Sequence, residues 1–254
     1  MTRDGRFTYL DTPLPLAIAH RGGAGDWPEN TMPAFEAAVG LGFTYVETDV
    51  HATSDGVLVA FHDESLDRVT DRTGLIRDLT WSEVSAARVD GREPIPLLED
   101  ILGHFPDVRV NIDAKHDTAV DPLVEVVRRT GVIDRICIGS FSGRRLRRIR
   151  TALGPGLCTS MGPVEVAMLK LAGFGVPVAM RAPCAQVPVR QGPFRVVDAR
   201  FVRGAHRRGV QVHVWTIDDP AEMHRLLDLG VDGIMTDHPK ALRSVLEERG
   251  EWRG

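Results

Sequence analysis

Along the chain, short apolar runs alternate with longer stretches whose apolar positions recur at the three- and four-residue spacing of one helix face. The runs predict strands at Leu16–His20, Thr44–Val50, Val108–Lys115, Arg135–Phe141, Gly156–Met161, Pro177–Arg181, Gln211–Ile217 and Gly233–Thr236. The helical stretches between and after them are Thr31–Leu41, Leu97–Phe105, Asp121–Thr130, Gly143–Leu153, Val164–Ala172, Val196–Arg208, Pro220–Leu229 and Pro239–Arg249. Strand followed by helix, repeated eight times in 254 residues, predicts an α/β fold, a (β/α)8 TIM-like barrel.

One segment breaks the rhythm. Val57–His62 also reads as a strand, but only Ala52–Gly56 separates it from the second strand, too little chain for a parallel crossover. It is expected to return antiparallel through a turn at Ser54-Asp55-Gly56. That would bring His62 to the level of Glu47 and Asp49, and would leave residues 63–95 as a small insertion after the second strand. Without a linker or low-complexity stretch, residues 1–254 are expected to form one domain, with its barrel over about 14–250.

Composition narrows the class. The chain is 43% hydrophobic and carries a formal charge of −4, enough apolar content for one large core and the wrong balance for a dedicated nucleic-acid binder. Cys137, Cys158 and Cys184 are scattered through apolar segments and are expected to be reduced core thiols. No run approaches a membrane span, and the first residues lack a signal-peptide pattern, so a soluble, unprocessed cytoplasmic protein is expected, without integral membrane association. Beside the basic run GRRLRRIR at 143–150, Leu146, Ile149 and Leu153 at helical spacing give an apolar stripe, which favours a barrel helix with a solvated face over a nucleic-acid or membrane surface.

In such barrels the reactive groups stand at the carboxyl ends of the strands. Those ends carry His20-Arg21, Glu47-Thr48-Asp49, Asp113-Ala114-Lys115, Ser140-Phe141, Trp215 and Thr236-Asp237. Alternation puts Glu47 and Asp49 on one side of their strand, and Asn111, Asp113 and Lys115 on one side of theirs. An isolated buried acid would be expected to pair with Arg21 or Lys115. Three carboxylates on adjacent strands repel unless neutralised, and their oxygen-only donor set suits a hard divalent cation, Mg²⁺ or Ca²⁺.

Of nine histidines, His20 and His62 end apolar strands and converge on one rim, where two imidazoles can work as acid and base across a reacting centre. Arg21 and Lys115 suit an anionic phosphoryl group, which points to a phosphate ester as substrate. Glu29 and Asn30 are read as structural residues, with Asn30 or Thr31 capping the first helix. Trp215, at a strand mouth, is a candidate substrate contact.

These residues resemble the glycerophosphodiester phosphodiesterase family, a group of phospholipase C-like TIM barrels. The resemblance rests on HRGG at 20–23, PENT at 28–31, ETDVHATSDGVLVAFHD at 47–63, NIDAK at 111–115, VHVWTIDD at 212–219 and VDGIMTDHP at 231–239. It implies a metal-dependent cleavage of small-molecule glycerophosphodiesters to glycerol 3-phosphate and an alcohol. It further implies His20 and His62 as general base and acid, Glu47, Asp49 and Asp113 as metal ligands, and Arg21 and Lys115 at the phosphate. Asp113 stands where the family most often has glutamate. Attack by a substrate hydroxyl through a cyclic phosphate competes with direct attack by water. A lysophospholipase D with the same site would need an exposed apolar lip at the mouth, for which the insertion is a candidate. A non-catalytic phosphate-binding barrel would be expected to lack one of the histidines or carboxylates, and none is missing.

Overall fold

The computed structural model describes residues 7–173 and 180–253. Among the described residues, eight parallel strands follow the chain around a barrel: β1 (Leu16–Ala19), β2 (Tyr45–Ala52), β3 (Arg109–Ala114), β4 (Ile136–Gly139), β5 (Cys158–Thr159), β6 (Cys184–Pro188), β7 (Gln211–Trp215) and β8 (Gly233–Thr236). β1 pairs with both β2 and β8, so the first and last strands meet. A single parallel bridge, Ser160 to Cys184, joins β5 to β6 and completes the circuit. The helices on the outside are α1 (Met32–Gly40), α2 (Leu98–His104), α3 (Val120–Thr130), α4 (Gly143–Leu153), α5 (Pro163–Ala172), α6 (Ala199–His206), α7 (Pro220–Asp228) and α8 (Pro239–Glu248). This is the TIM barrel that the alternation of periods predicts.

The sixth strand departs from expectation. Of Pro177–Arg181, residues 177–179 lie outside the described residues, and Met180 and Arg181 are not in a strand. β6 lies further on, at Cys184–Pro188, pairing with β7 through Gln211↔Cys184 and His213↔Gln186. Pro183 before it, Pro188 at its end and the cavity-lining Gln186 interrupt its apolar pattern, whereas Pro177–Arg181 offers the more continuous apolar run in the sequence.

Every residue of β2 is buried, as a strand sandwiched between helices and barrel interior must be. Val46 and Val50 join Phe35, Ile112 and Leu123 in the main core, while Tyr45 points to the amino-terminal end of the barrel. There Phe7, Tyr9 and Leu10 pack against Leu16, Ile18, Met235 and the three cysteines. The thiols are free and buried as expected, yet they converge, with sulfurs within 4.8 Å of one another.

The hairpin forms as expected, with Val50↔Ala60 and Ala52↔Leu58 antiparallel. The insertion then builds its own cluster, burying Leu66, Ile76, Val84 and Val89 against Val59 and Phe61. Its apolar residues are spent on that cluster and do not form a lip.

Between β1 and α1 the chain turns sharply, with φ of +50° at Arg21 and +79° at Gly22. A Cβ on Gly22 would come within 2.8 Å of the Ala34 Cβ. Gly22→Ala is therefore expected to cost about 1 kcal/mol or more, read as a lower urea midpoint; an unchanged midpoint would show that this turn tolerates a side chain.

Candidate active site

The carboxyl ends of the strands enclose a cavity of about 550 Å³ lined on one side by His20, Arg21, Glu47, Asp49, His62, Asp113 and Lys115. All seven residues proposed for catalysis, metal and phosphate thus face one space. Parallel pairing sets their level, placing Glu47 opposite Asn111 and Asp49 opposite Asp113 on neighbouring strands.

Each histidine is held by an aspartate. His20 Nδ1 lies 2.6 Å from Asp237 Oδ1, and His62 Nδ1 lies 2.6 Å from Asp63 Oδ1. A carboxylate at that distance favours the proton on Nδ1 and leaves the Nε2 lone pair free to accept one. Asp237 is fixed in turn by Asp218, which accepts from the Asp237 backbone N–H at 2.8 Å and from Thr236 Oγ1 at 2.9 Å. The His62 main chain is pinned by His51 Nε2, 3.1 Å from the His62 carbonyl. Burial by itself would lower the His20 pKa, but Glu47, whose Oε2 is 3.7 Å from Nε2, and the Asp237 hydrogen bond together hold it above its ordinary value.

The carboxylates differ in their surroundings. Glu47 is pushed up to about 7 by burial and by the neighbouring Asp49, against the pull of His20, Lys115 and Arg21. Asp49 is just as buried but is held low, because Lys115 and Arg21 outweigh its desolvation. Lys115 Nζ sits 2.7 Å from Asp49 Oδ1 and 2.8 Å from Asp113 Oδ2, and Arg21 Nε sits 3.1 Å from Asp49 Oδ2. Asp113 Oδ1 is buried with no hydrogen-bond partner among the described residues. An orphaned carboxylate oxygen beside an acid with a raised pKa fits a hard cation, and Glu47, Asp49 and Asp113 could hold one. The expected pairing of buried acids with Arg21 and Lys115 is therefore made as well, most fully at Asp49.

The expected cap at Asn30 is not made. Thr31 occupies the N-cap position of α1, and its hydroxyl donates instead to the Pro28 carbonyl at 2.8 Å. Buried Asn30 donates through Nδ2 to Asp49 Oδ2 at 3.2 Å and accepts from Thr48 Oγ1 at 2.8 Å, so it orients the Asp49 carboxylate. Glu29 also caps nothing. It accepts from Arg21 Nη1 at 3.2 Å and from both terminal nitrogens of Arg68, at 2.6 and 2.9 Å, while Arg68 Nε donates to Asp63 Oδ2 at 2.5 Å. Asp63, Arg68 and Glu29 thus tie the His62 side of the rim to Arg21.

The rest of the lining combines the apolar side chains of Phe141, Met161, Val166, Val187, Val196 and Trp215 with polar Ser140, Ser160, Gln186 and Gln191. Trp215 stands at the mouth of β7 and meets the Phe141 ring edge-on, with centroids 5.7 Å apart.

Fold and site together describe a TIM barrel with two carboxylate-bound imidazoles over a floor of acids and paired cations. The Glycerophosphoryl diester phosphodiesterase family model matches residues 20–241, and the chain belongs to that family. It is 43% identical to "Probable glycerophosphodiester phosphodiesterase 2" of Mycobacterium tuberculosis over 94% of this chain and 93% of the relative. It is 29% identical to human "Lysophospholipase D GDPD1" over 92% of this chain and 86% of that protein. An Oleispira antarctica phosphodiesterase, solved in complex with its product sn-glycerol-3-phosphate, superposes with a TM-score of 0.78 at 24% identity, over 92% of this chain and 97% of the other.

Proposed function

We propose that the protein hydrolyses glycerophosphodiesters to glycerol 3-phosphate and an alcohol by acid–base catalysis at His20 and His62. The observation that carries this reading is the matched pair of imidazoles, each with Nδ1 on an aspartate, lining the same acid-floored cavity. The product-bound Oleispira enzyme and the Mycobacterium relative support the substrate class.

A glycerol hydroxyl of the substrate attacks phosphorus, gaining the advantage of an intramolecular nucleophile. Nε2 of one histidine removes its proton, and the other protonates the departing alcohol oxygen. Water then opens the cyclic phosphate with the two roles exchanged. Arg21 and Lys115 take the phosphoryl oxygens, moving partly from the carboxylates they now neutralise. A Mg²⁺ or Ca²⁺ ion held by Glu47, Asp49 and Asp113 would acidify the attacking hydroxyl and offset phosphate charge.

Incubation with glycerophosphocholine, glycerophosphoethanolamine and a lysophospholipid is expected to release glycerol 3-phosphate from the first two with added divalent cation, and none after chelation. Failure to turn over any diester would overturn the proposal. The apolar wall from Phe141 to Trp215 favours a second reading, lysophospholipase D, since it offers an acyl chain a surface beside the phosphate site. Turnover of the lysophospholipid alone would select it.

A further inference from the structure

The outward face of α5 inverts the usual pattern of a barrel helix. Leu169 and Ala172 are buried against the body, as expected, but Val164, Met168 and Leu171 form a second apolar stripe that points to solvent. Val164 is 72% exposed and Leu171 56%. Two exposed aromatic residues stand at the cavity that α5 also borders: Phe141, 63% exposed, in its lining, and Phe194, 74% exposed, between the lining residues Gln191 and Val196. Phe194 belongs to a small hairpin in which Arg190 pairs with Arg195 and Gln191 with Phe194, every residue of it exposed. Exposed apolar residues grouped on one helix face and around the adjoining cavity in this way mark an interaction site.

The face adjoins the candidate active site. Pro163 and Val166 of α5, and Gln191 and Val196 flanking Phe194, line the cavity, and the Phe141 ring touches Trp215. The N-terminus of α5 abuts that of α4, where a Cβ on Gly162 would meet Leu146 Cδ1 at 3.3 Å and Gly143 Cα at 3.4 Å.

Charge distinguishes the possible occupants. The chain as a whole is acidic, at −4, yet between Ser160 and Arg195 it carries Lys170, Arg181, Arg190 and Arg195 against the single acid Glu165. Glu165 is itself paired with Arg150, at 3.1 Å, and Lys170 with Asp198, which leaves Arg181, Arg190 and Arg195 as the basic surplus of the segment. A two-fold contact between copies would set this basic patch against itself. An anionic lipid surface complements it, with arginines at the headgroups and apolar side chains below them.

We propose that Val164, Met168 and Leu171 of α5, with Phe141 and Phe194, seat the protein reversibly on an anionic phospholipid surface with the barrel mouth toward the headgroups. The seating goes beyond the proposed function and rests on it only for its purpose, which is access to phosphodiesters at a lipid surface.

The full chain is tested by flotation with phosphatidylglycerol/phosphatidylcholine vesicles and with phosphatidylcholine vesicles alone. The wild type is expected to float with the anionic vesicles and to be released by about 0.5 M salt, where surface charges are screened. The double variant Leu171→Ser/Phe194→Ser, which leaves the cavity lining intact, is expected to bind at least tenfold more weakly while turning over soluble glycerophosphocholine at the wild-type rate. Absence of flotation by the wild type, or undiminished flotation by the double variant, overturns the seating. A concentration-dependent dimer in sedimentation, abolished in the double variant and unaccompanied by vesicle binding, would overturn it too and give the face to a second copy. Soluble turnover by the wild type reports on the proposed function separately, so either can fail alone.

Discussion

His62→Ala is expected to lower turnover of glycerophosphocholine by about 10²-fold or more while leaving the melting temperature almost unchanged. The two readouts separate because of where the imidazole sits. Its side chain is 32% exposed and lies at the rim, so truncation opens no closed cavity. Asp63, its partner, keeps the Arg68 guanidinium at 2.5 Å and is not left with an unpaired charge. What is lost is one of the two aspartate-held imidazoles that line the cavity. Steady-state kinetics beside a thermal melt checks this, and near-normal turnover would remove His62 from catalysis.

The second large effect is expected at Asp49 and falls on stability as well as activity. Asp49→Ala removes the carboxylate shared by Lys115 and Arg21 and the acceptor that orients Asn30. Breaking a buried ion pair from one side typically costs about 3–5 kcal/mol, because the remaining charge loses its partner without regaining water. The lower end is expected here, about 3 kcal/mol, since Lys115 retains Asp113 and Arg21 retains Glu29. Denaturant unfolding measures it. Adding Lys115→Met is expected to recover part of the loss, and a fully additive double variant would show that the two residues are not coupled.

Much of this site is legible from strand ends because a barrel aligns them. Once Glu47, Asp49 and Asp113 are placed toward the carboxyl ends of neighbouring strands, alternation turns all three to one side, and the parallel register sets Asp49 level with Asp113. The hairpin is legible for a related reason: five residues cannot cross over, so His62 has to come back beside Asp49. What periodicity misses is side-chain direction in loops. Asn30 lies two residues after Pro28 and two before the first helix, the setting of a cap, but its φ of +55° turns it inward to Asp49. Asp237 is visible at the end of β8, yet its hold on His20 follows only from the pairing of the first strand with the last. Arg68 carries no signal at all, because the bond it makes to Glu29 depends on how the insertion folds back over the rim. β6 is obscured by Pro183 before it and Pro188 at its end.

The hydrogen bond between His20 and Asp237 joins residues 217 positions apart. It spans the seam where β1 meets β8, the last strand to be synthesised. A chain that lacks β8 loses both the strand that closes the barrel onto β1 and the carboxylate that holds His20. Closure of the barrel and the orientation of one imidazole at its mouth therefore rest on the same few residues at the end of the last strand.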